Sequence, residues 1–331
     1  MNTLSILVTG GAGYIGSHTV AELLENKEDI IILDNLERGH KESVLGGKLI
    51  VGDLRDKEFI NKVFKENEIE AVIHFAAYIE VGESTVDPLK FYNNNVVSTL
   101  NLLTAMNEAG VKKIVFSSTA ATYGEPENTP ILETDKTLPT NPYGETKLAV
   151  EKVLKWADSC LGIKHVILRY FNASGAHISG QIGEDHNPET HLIPLILQVA
   201  LGKREEIKIF GTDYPTPDGT CVRDYIHVTD LANAHVLALN KLRNDNHSEI
   251  YNLGNGKGFS VKEVIDIARK VTGQPIKSVE APKRTGDPAV LIASSEKIVK
   301  ELKWSPRYNK LETIIETAWT WHKSHPKGYN I

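Results

Sequence analysis

Short apolar runs alternate with helix-length amphipathic segments through the first half of this chain. Two of the runs, 30–33 and 72–75, place apolar side chains on both faces of a strand. Strands of that kind belong to sheets that are covered by helices on both sides. The alternation therefore predicts an α/β fold with a doubly wound parallel sheet.

The same pattern gives bounds for each element of this half. The predicted strands cover 4–9, 30–34, 49–52, 71–75, 113–118 and 166–170. The predicted helices cover 15–25, 57–66, 89–109 and 143–161.

The rhythm changes at residue 172, where a polar stretch without periodicity continues to residue 191. Loops of this length are usually functional or mobile. The elements predicted after it are a helix over 192–201, a strand over 207–210, a polar loop over 211–220, and helices over 228–242, 261–271, 295–302 and 311–322. We therefore expect a first domain over 1–171 and a smaller mixed α/β domain over 172–331, with about 211–245 interleaved back into the first.

Charge and composition narrow the function. A net charge of −6 gives no electrostatic reason to expect nucleic acid or an anionic membrane as a partner. The longest apolar runs fall far short of the ~20 residues that cross a bilayer, so we expect a cytoplasmic protein. Cys160 and Cys221 form no CxxC pair, and the 12 histidines form no HxxxH or HExxH pair. We expect neither a disulfide framework nor a metal site.

Glycines are concentrated between the first predicted strand and the first predicted helix. Gly10-x-x-Gly13-x-x-Gly16, with Tyr14 and Ile15 inside it, matches the spacing of turns that bind a dinucleotide pyrophosphate. Glycine allows the tight turn and the close approach of backbone N–H groups, and the helix N-terminus adds partial positive charge. The pattern predicts a Rossmann-type, NAD-binding first domain; the alternative is a plain glycine-rich turn.

Acidic residues end the next two predicted strands. Asp34 stands eighteen residues after Gly16, where a carboxylate accepts both ribose hydroxyls and repels a 2′-phosphate. This favours NAD over NADP, although Arg38 lies close by in the sequence. Asp53 follows the third strand, where it can reach adenine or simply cap a turn.

The segment Tyr143-Gly144-Glu145-Thr146-Lys147 indicates acid/base chemistry. Its spacing places a phenol and an ammonium on one face of a helix. A free tyrosine has a pKa of ~10, and adjacent positive charge favours the phenolate. Thr119 follows an apolar strand, at the edge where doubly wound sheets bind ligands. We expect Tyr143 to be the base, Lys147 its support, and Thr119 a hydrogen-bond partner of the reacting oxygen.

With these residues in place, the chain resembles the extended short-chain dehydrogenase/reductase superfamily, and within it the family of UDP-glucose 4-epimerases. The stretches that carry the resemblance are TGGAGYIGSH (9–18), LDNL (33–36), GDLRD (52–56), HFAA (74–77), NNNVVSTLNLL (93–103), FSSTAATYGE (116–125), NPYGETKL (141–148), RYFNASGAH (169–177), HLIPLILQVALG (191–202), DGTCVRDYIHVTDLANAH (218–235), YNLGNG (251–256) and RTGDPA (284–289). They are distributed over nearly the whole chain.

The resemblance implies reversible 4-epimerisation of UDP-galactose and UDP-glucose, as in galactose metabolism, through a transient 4-keto sugar and NADH. Tyr143, Lys147 and Thr119 match the catalytic positions. The matches to cofactor-contacting positions, besides the glycine turn and Lys147, are Tyr14, Ile15, Asp34, Asn35, Asp53, Leu54, Phe75, Ala76, Ala77, Asn94 and Phe171. The matches to positions that hold the UDP part of the substrate are Asn172, His191, Leu192, Phe210, Arg223, Arg284 and Asp287. Two arginines suit a diphosphate, because guanidinium forks match phosphate oxygens.

Two positions depart from the family pattern. Many relatives carry lysine four residues after the Phe of the HFAx stretch, where this chain has Ile79. We therefore expect one cofactor contact to be lost. A sugar-pocket position that is tyrosine in some relatives is Leu291 here. The smaller side chain leaves room for a 2-acetamido group, so UDP-GlcNAc and UDP-GalNAc are candidate substrates.

More than one function fits these motifs. A nucleotide-sugar 4,6-dehydratase needs additional acid/base groups after the threonine, where this chain has Ala120-Ala121, which argues against that reaction. A uronate epimerase, a net dehydrogenase and a non-catalytic NAD sensor of the same fold stay open. Relatives dimerise through helices equivalent to 89–109 and 143–161, so the resemblance also implies a homodimer.

Overall fold

The computed structural model describes residues 4–284 and 287–329. Seven parallel strands form its central sheet, in the order β10-β6-β5-β4-β1-β2-β3. They are β1 (Ser5–Thr9), β2 (Ile30–Asp34), β3 (Lys48–Val51), β4 (Ile69–His74), β5 (Lys113–Thr119), β6 (Lys164–Tyr170) and β10 (Glu249–Leu253). The strand order reverses direction between β1 and β4, and open α/β sheets bind ligands at such a point. The predicted doubly wound parallel sheet is confirmed.

Helices cover both faces of this sheet, as the apolar strands require. One face packs against α1 (Tyr14–Glu25), α8 (Val228–Asn244) and α10 (Glu296–Leu302). The other packs against α2 (Lys57–Glu66), α5 (Ser98–Glu108) and α6 (Pro142–Leu161). Because both layers are apolar, the sheet is a rigid base for the loops at the carboxyl ends of its strands.

The outermost strand, β10, was not predicted from the sequence. Asn252 interrupts its apolar pattern, yet this side chain is fully buried. It accepts a hydrogen bond from the Tyr123 hydroxyl (2.7 Å) and donates one to the Ile131 carbonyl (2.9 Å). Tertiary partners thus allow a polar residue in a central position of the strand. Both α8 and β10 join the first-half sheet, so residues up to 253 return to it, whereas interleaving was expected for about 211–245 only.

The remaining elements surround a separate apolar core. The helices are α7 (Leu192–Ala200), α9 (Val261–Thr272) and α11 (Leu311–Ser324). The strands are β7 (Asn172–Ser174), β8 (Ile207–Phe210), β9 (Val222–His227), β11 (Gly258–Ser260), β12 (Ser278–Ala281) and β13 (Val290–Leu291). β9 pairs with β7, β11 and β13, and β8 pairs with β12. The division of the chain at 171/172 stays a prediction.

A π-helical turn interrupts the predicted helix over 89–109. The helix consists of α4 (Pro88–Phe91), a π-helical segment (Tyr92–Val97) and α5. A short helix, α3 (Val81–Val86), precedes it. Within residues 4–284 and 287–329, none of the helices is both long and apolar enough to cross a membrane.

Candidate active site

A cleft of about 1130 Å³ opens at the carboxyl ends of β1, β4, β5 and β6. Every residue that the sequence analysis assigned to catalysis, cofactor or substrate lines it. One wall holds the glycine turn with Tyr14, Ile15, Asp34, Asn35, Asp53, Leu54, Phe75, Ala76, Ala77 and Asn94. The opposite wall holds Phe171, Asn172, His191, Leu192, Phe210, Arg223, Arg284, Asp287 and Leu291. Thr119, Tyr143 and Lys147 lie on the floor between them. We call these parts the first wall, the second wall and the floor.

The glycine turn is shaped by close backbone packing. Gly10 has φ +71°, and a Cβ there would lie 2.5 Å from the Ala76 backbone nitrogen. A Cβ on Gly16 would lie 2.1 Å from the Gly10 carbonyl oxygen. At Gly13 the nearest atom is 3.4 Å away, an ordinary contact. The fold therefore needs glycine at 10 and 16, whereas at 13 its own packing tolerates a larger residue.

Gly13 is also the N-cap of α1 and supplies no side-chain cap. The first turn of α1 contains no acidic residue. The first N–H groups of a helix lack intrahelical acceptors and carry partial positive charge. This end of α1 opens into the cleft, so its chemistry suits a diphosphate.

Carboxylates at the ends of β2 and β3 complete the first wall. Asp34 accepts hydrogen bonds from the backbone nitrogens of Ala12 (3.0 Å) and Leu36 (2.9 Å). Burial raises its pKa, and these two bonds oppose the rise. Hydrogen bonding and pairing with Arg55 lower the pKa of Asp53 to about 2. Asp34 thus caps the turn and also faces the cleft.

Arg38, which raised the question of NADP, is already paired. Its guanidinium lies 3.3 Å from Glu83 and 3.6 Å from Glu80, and it donates to the Asn187 carbonyl at 2.5 Å. A 2′-phosphate would have to compete with two carboxylates for this side chain. The arrangement favours NAD.

Tyr143 is fixed by the start of α6. The Asn141 side chain caps this helix by accepting from the Gly144 nitrogen at 2.9 Å, and Pro142 occupies the first turn. Gly144 packs closely on the loop after β5, since a Cβ there would lie 2.6 Å from the Ala121 carbonyl oxygen. The Tyr143 backbone nitrogen donates to the Ser84 hydroxyl of α3 at 3.2 Å. These contacts bring Tyr143 beside Thr119.

The phenol of Tyr143 is protonated at neutral pH in this environment. Burial raises its pKa to about 12, a hydrogen bond with Thr119 opposes the rise, and the charge of Glu80 adds to it. Ile79 packs against the Tyr143 cluster and contributes to the desolvation. Thr119 also accepts from the Ala121 nitrogen at 3.1 Å, so it both caps the turn and contacts the phenol. Ionisation of Tyr143 requires positive charge to be brought next to it.

Lys147 lies one helical turn further, with its ammonium donating to the Ser117 carbonyl at 2.8 Å. Burial lowers its pKa to about 7, and the charge of Glu151 opposes the fall. Glu151 is held by Arg169 in a buried pair with an N–O distance of 2.5 Å. Lys147 is therefore a cation whose charge depends on what occupies the cleft.

The π-helical segment contributes Asn94 to the first wall. The neighbouring Asn95 is buried and bonds the backbone nitrogen and oxygen of Tyr78 at 2.8 and 3.0 Å. Its amide also donates to the Thr146 hydroxyl at 3.1 Å. This segment ties the first wall to the catalytic helix, and a sequence pattern of period 3.6 does not reveal it.

Arginines and aromatic rings form the second wall. The Arg284 guanidinium lies over the Phe210 ring, 3.9 Å from its centroid. Arg223 lies on β9 and pairs with Asp287 at 3.1 Å. This ion pair faces the cleft, so Arg223 is available to a ligand there.

Leu291 is the β13 partner of Arg223 and packs against the apolar cluster that contains Phe171. It lines the cleft on the same side as the two arginines. The predicted sugar-pocket position therefore lies beside the predicted diphosphate contacts.

Sequence reasoning missed three further residues around His191. Glu184, His186 and Glu189 line the cleft next to it. The His191 Nδ1 atom lies 3.0 Å from Glu184 and 2.9 Å from Glu189. No metal site was expected, because the histidines lack HxxxH spacing. The fold nevertheless brings these four together, and the run Glu-x-His-x-x-Glu-x-His was the available signal.

Comparisons with known proteins agree with this geometry. Residues 6–254 match the NAD dependent epimerase/dehydratase family. The chain is 60% identical over 327 residues to a UDP-glucose 4-epimerase from Halalkalibacterium halodurans, covering 99% of this chain and 98% of that protein. A crystal structure of UDP-glucose 4-epimerase from Bifidobacterium longum, in complex with NAD+ and UDP, superposes with TM-score 0.93 at 42% identity, covering 98% and 99% of the two chains. A UDP-Glc/GlcNAc 4-epimerase from Campylobacter jejuni gives TM-score 0.86 at 45% identity, covering 97% and 99%.

Proposed function

Because the chain belongs to the NAD dependent epimerase/dehydratase family, we propose that it catalyses the reversible 4-epimerisation of UDP-galactose and UDP-glucose with NAD as its cofactor. One observation carries the proposal: the Tyr143–Thr119 pair lies on the floor between a dinucleotide-type wall and an arginine-bearing wall. A hydroxyl of a bound nucleotide sugar can reach the base only at that junction.

The residues of the first wall fit NAD. The uncapped N-terminus of α1 and the open space at Gly13 suit the pyrophosphate, and Asp34 suits the ribose hydroxyls. Lys147 and Tyr143 lie where the nicotinamide end would reach the floor. NAD, when bound, accepts the hydride from C4 of the sugar and later returns it.

Tyr143 performs the proton transfers. Its phenolate takes the proton of the sugar 4-hydroxyl, with Thr119 holding the same oxygen by a hydrogen bond. As the proton leaves, the C4–H bond breaks and C4 becomes a ketone. In the second half, Tyr143 returns its proton to the oxygen while C4 regains hydride on the opposite face. The net change is an inversion at C4 with no net oxidation, so no second substrate is needed.

The second wall holds the nucleotide and leaves the sugar free to turn. Arg223 and Arg284 provide the charge for the diphosphate, and Phe210 provides a flat apolar surface. Because binding energy is concentrated on UDP, the 4-keto sugar can present either face to the floor without leaving the cleft.

Incubating the purified protein with UDP-galactose and no added NAD tests the proposal. We expect UDP-glucose to form, followed by NMR, since the cofactor is regenerated in every turnover. Activity only after NAD is added would keep the reaction but indicate weak cofactor retention at Ile79. Absence of UDP-glucose in both cases would reject the proposed function.

Leu291 supports a second substrate class. A leucine in place of tyrosine enlarges the space beside Arg223, where the C2 substituent would lie. We propose that UDP-GalNAc and UDP-GlcNAc are also interconverted. Leu291→Tyr should abolish this activity and keep that on UDP-galactose. If wild-type protein fails to convert millimolar UDP-GalNAc, this second substrate class is wrong.

Exposed apolar residues support a homodimer. Leu89 is 79% exposed on α4 and Trp156 is 70% exposed on α6, and these helices lie next to each other. We propose that this surface pairs with its copy, and Trp156→Glu should then yield a monomer. A monomer mass for wild type by light scattering at micromolar concentration would contradict it. A cytoplasmic location also stays a prediction from the sequence.

A further inference from the structure

Four metal-ligating side chains converge on the second wall, outside the proposed catalytic chemistry. They are Glu184, His186, Glu189 and His191, which we call the Glu/His cluster. One potential ligand atom from each lies within 4.8 Å of all the others. Three belong to the long loop after β7, and His191 is the N-cap of α7.

The spacing of these atoms matches a small coordination sphere. The Nδ1 atom of His191 lies 3.0 Å from Glu184 and 2.9 Å from Glu189. The Nδ1 atom of His186 lies 3.2 Å from Glu184 and 3.8 Å from Glu189. A tetrahedral site with bonds of ~2.1 Å has ligand atoms about 3.4 Å apart. The observed distances lie on both sides of that value.

Burial and hydrogen bonding make the cluster unusual. The side chains of Glu184 and Glu189 are only 4% and 6% exposed. Buried carboxylates need a cation close by, because an uncompensated charge is costly away from water. The buried His186 Nδ1 atom has no well-aligned hydrogen-bond partner among the described residues, although it points at both carboxylates. A ligand atom in that position is available for coordination.

We propose that the Glu/His cluster binds one divalent transition-metal ion of the Zn²⁺ class. Two imidazole nitrogens and two carboxylate oxygens suit Zn²⁺, and the two negative charges balance its charge. Such an ion would fasten the loop carrying Glu184, His186 and Glu189 to the start of α7. The site is structural with respect to the second wall and takes no part in hydride or proton transfer.

Calorimetry on the full-length protein, after chelator treatment and dialysis, tests this with Zn²⁺ as the probe. We expect one Zn²⁺ per chain. Glu184→Gln and His186→Gln should each weaken binding by at least ~10-fold, because removing even an outer-sphere partner costs that much. His247→Gln is the matched control, since this histidine is exposed and remote in sequence; its affinity should equal that of wild type.

Two measurements keep the proposal testable if a variant folds poorly. Co²⁺ bound to wild type should give the intense visible absorption of four-coordinate N/O ligation, which surface binding does not produce. Zn²⁺ should also raise the melting temperature of wild type and of His247→Gln. Absence of Zn²⁺ binding at micromolar concentration, or unchanged affinity in folded Glu184→Gln and His186→Gln, would overturn the proposal.

Discussion

The two walls of the cleft are built differently. The first wall presents backbone groups: the glycine turn, the start of α1 and the ends of β1 and β2. The second wall presents long charged side chains, Arg223 and Arg284 among them, on short strands and irregular segments. A rigid sheet fixes the first, whereas salt bridges and stacking fix the second. The comparison teaches that one cleft can combine a preformed site with one that side chains assemble.

The largest effect should come from the floor, which belongs to neither wall. Tyr143→Phe removes the proposed base without changing the volume of the site. We expect kcat to fall by ~10²–10⁴-fold, as is typical when a general base is lost. Bound NAD and the KM for UDP-galactose should change little. Near wild-type turnover would exclude Tyr143 from the proton transfer.

Arg284→Ala tests whether the walls act independently. Charge-assisted hydrogen bonds contribute about 1.5–3 kcal/mol, so substrate affinity should fall by roughly 10–100-fold. The amount of NAD that copurifies should equal that of wild type. Loss of NAD together with substrate affinity would show that the second wall also supports the first. Lys283→Ala, at a neighbouring exposed position, is the control.

A pair of glycine variants separates folding from cofactor binding on the first wall. Gly16→Ala places a methyl against the Gly10 carbonyl, and such overpacking costs about 1–3 kcal/mol of stability. Gly13→Ala meets only ordinary contacts and should melt like wild type, but with less NAD bound. Calorimetry and the absorbance of released NAD distinguish the two. Equal melting temperatures for both variants would contradict the packing argument.

Buried neutral histidines predict how stability depends on pH. Burial lowers the pKa of His18 and His74 to about 3, and that of His235 to about 4. The unfolded chain binds these protons near pH 6.5, whereas the folded chain does not. Stability is therefore complete above pH 6.5 and is lost as the pH falls toward 3, by up to ~1.4 kcal/mol per unit for each histidine. Melting temperatures from pH 8 to 4 test this, and His74→Gln should flatten the decline.

Much of the first wall could be predicted because its signals are local. The strand over 30–34, the glycine spacing and the Tyr-x-x-x-Lys spacing depend on neighbouring residues, and the structure places them as expected. Strands β9 and β10 were missed, since their polar residues are stabilised by partners far along the chain, as at Asn252. The Glu/His cluster was missed because its geometry depends on an irregular loop. Local patterns thus reveal the backbone-built wall better than the wall built from side chains.

The π-helical segment over 92–97 has a consequence for insertions and deletions. A π turn accommodates one residue more than an α turn does. Deleting a single residue there would let the helix continue in α geometry, and each residue before the deletion would rotate by about 100° relative to those after it. Asn94 would turn away from the first wall, and Asn95 would lose its bonds to Tyr78 and Thr146. Chain length in this segment is therefore under stricter constraint than the identity of most of its side chains.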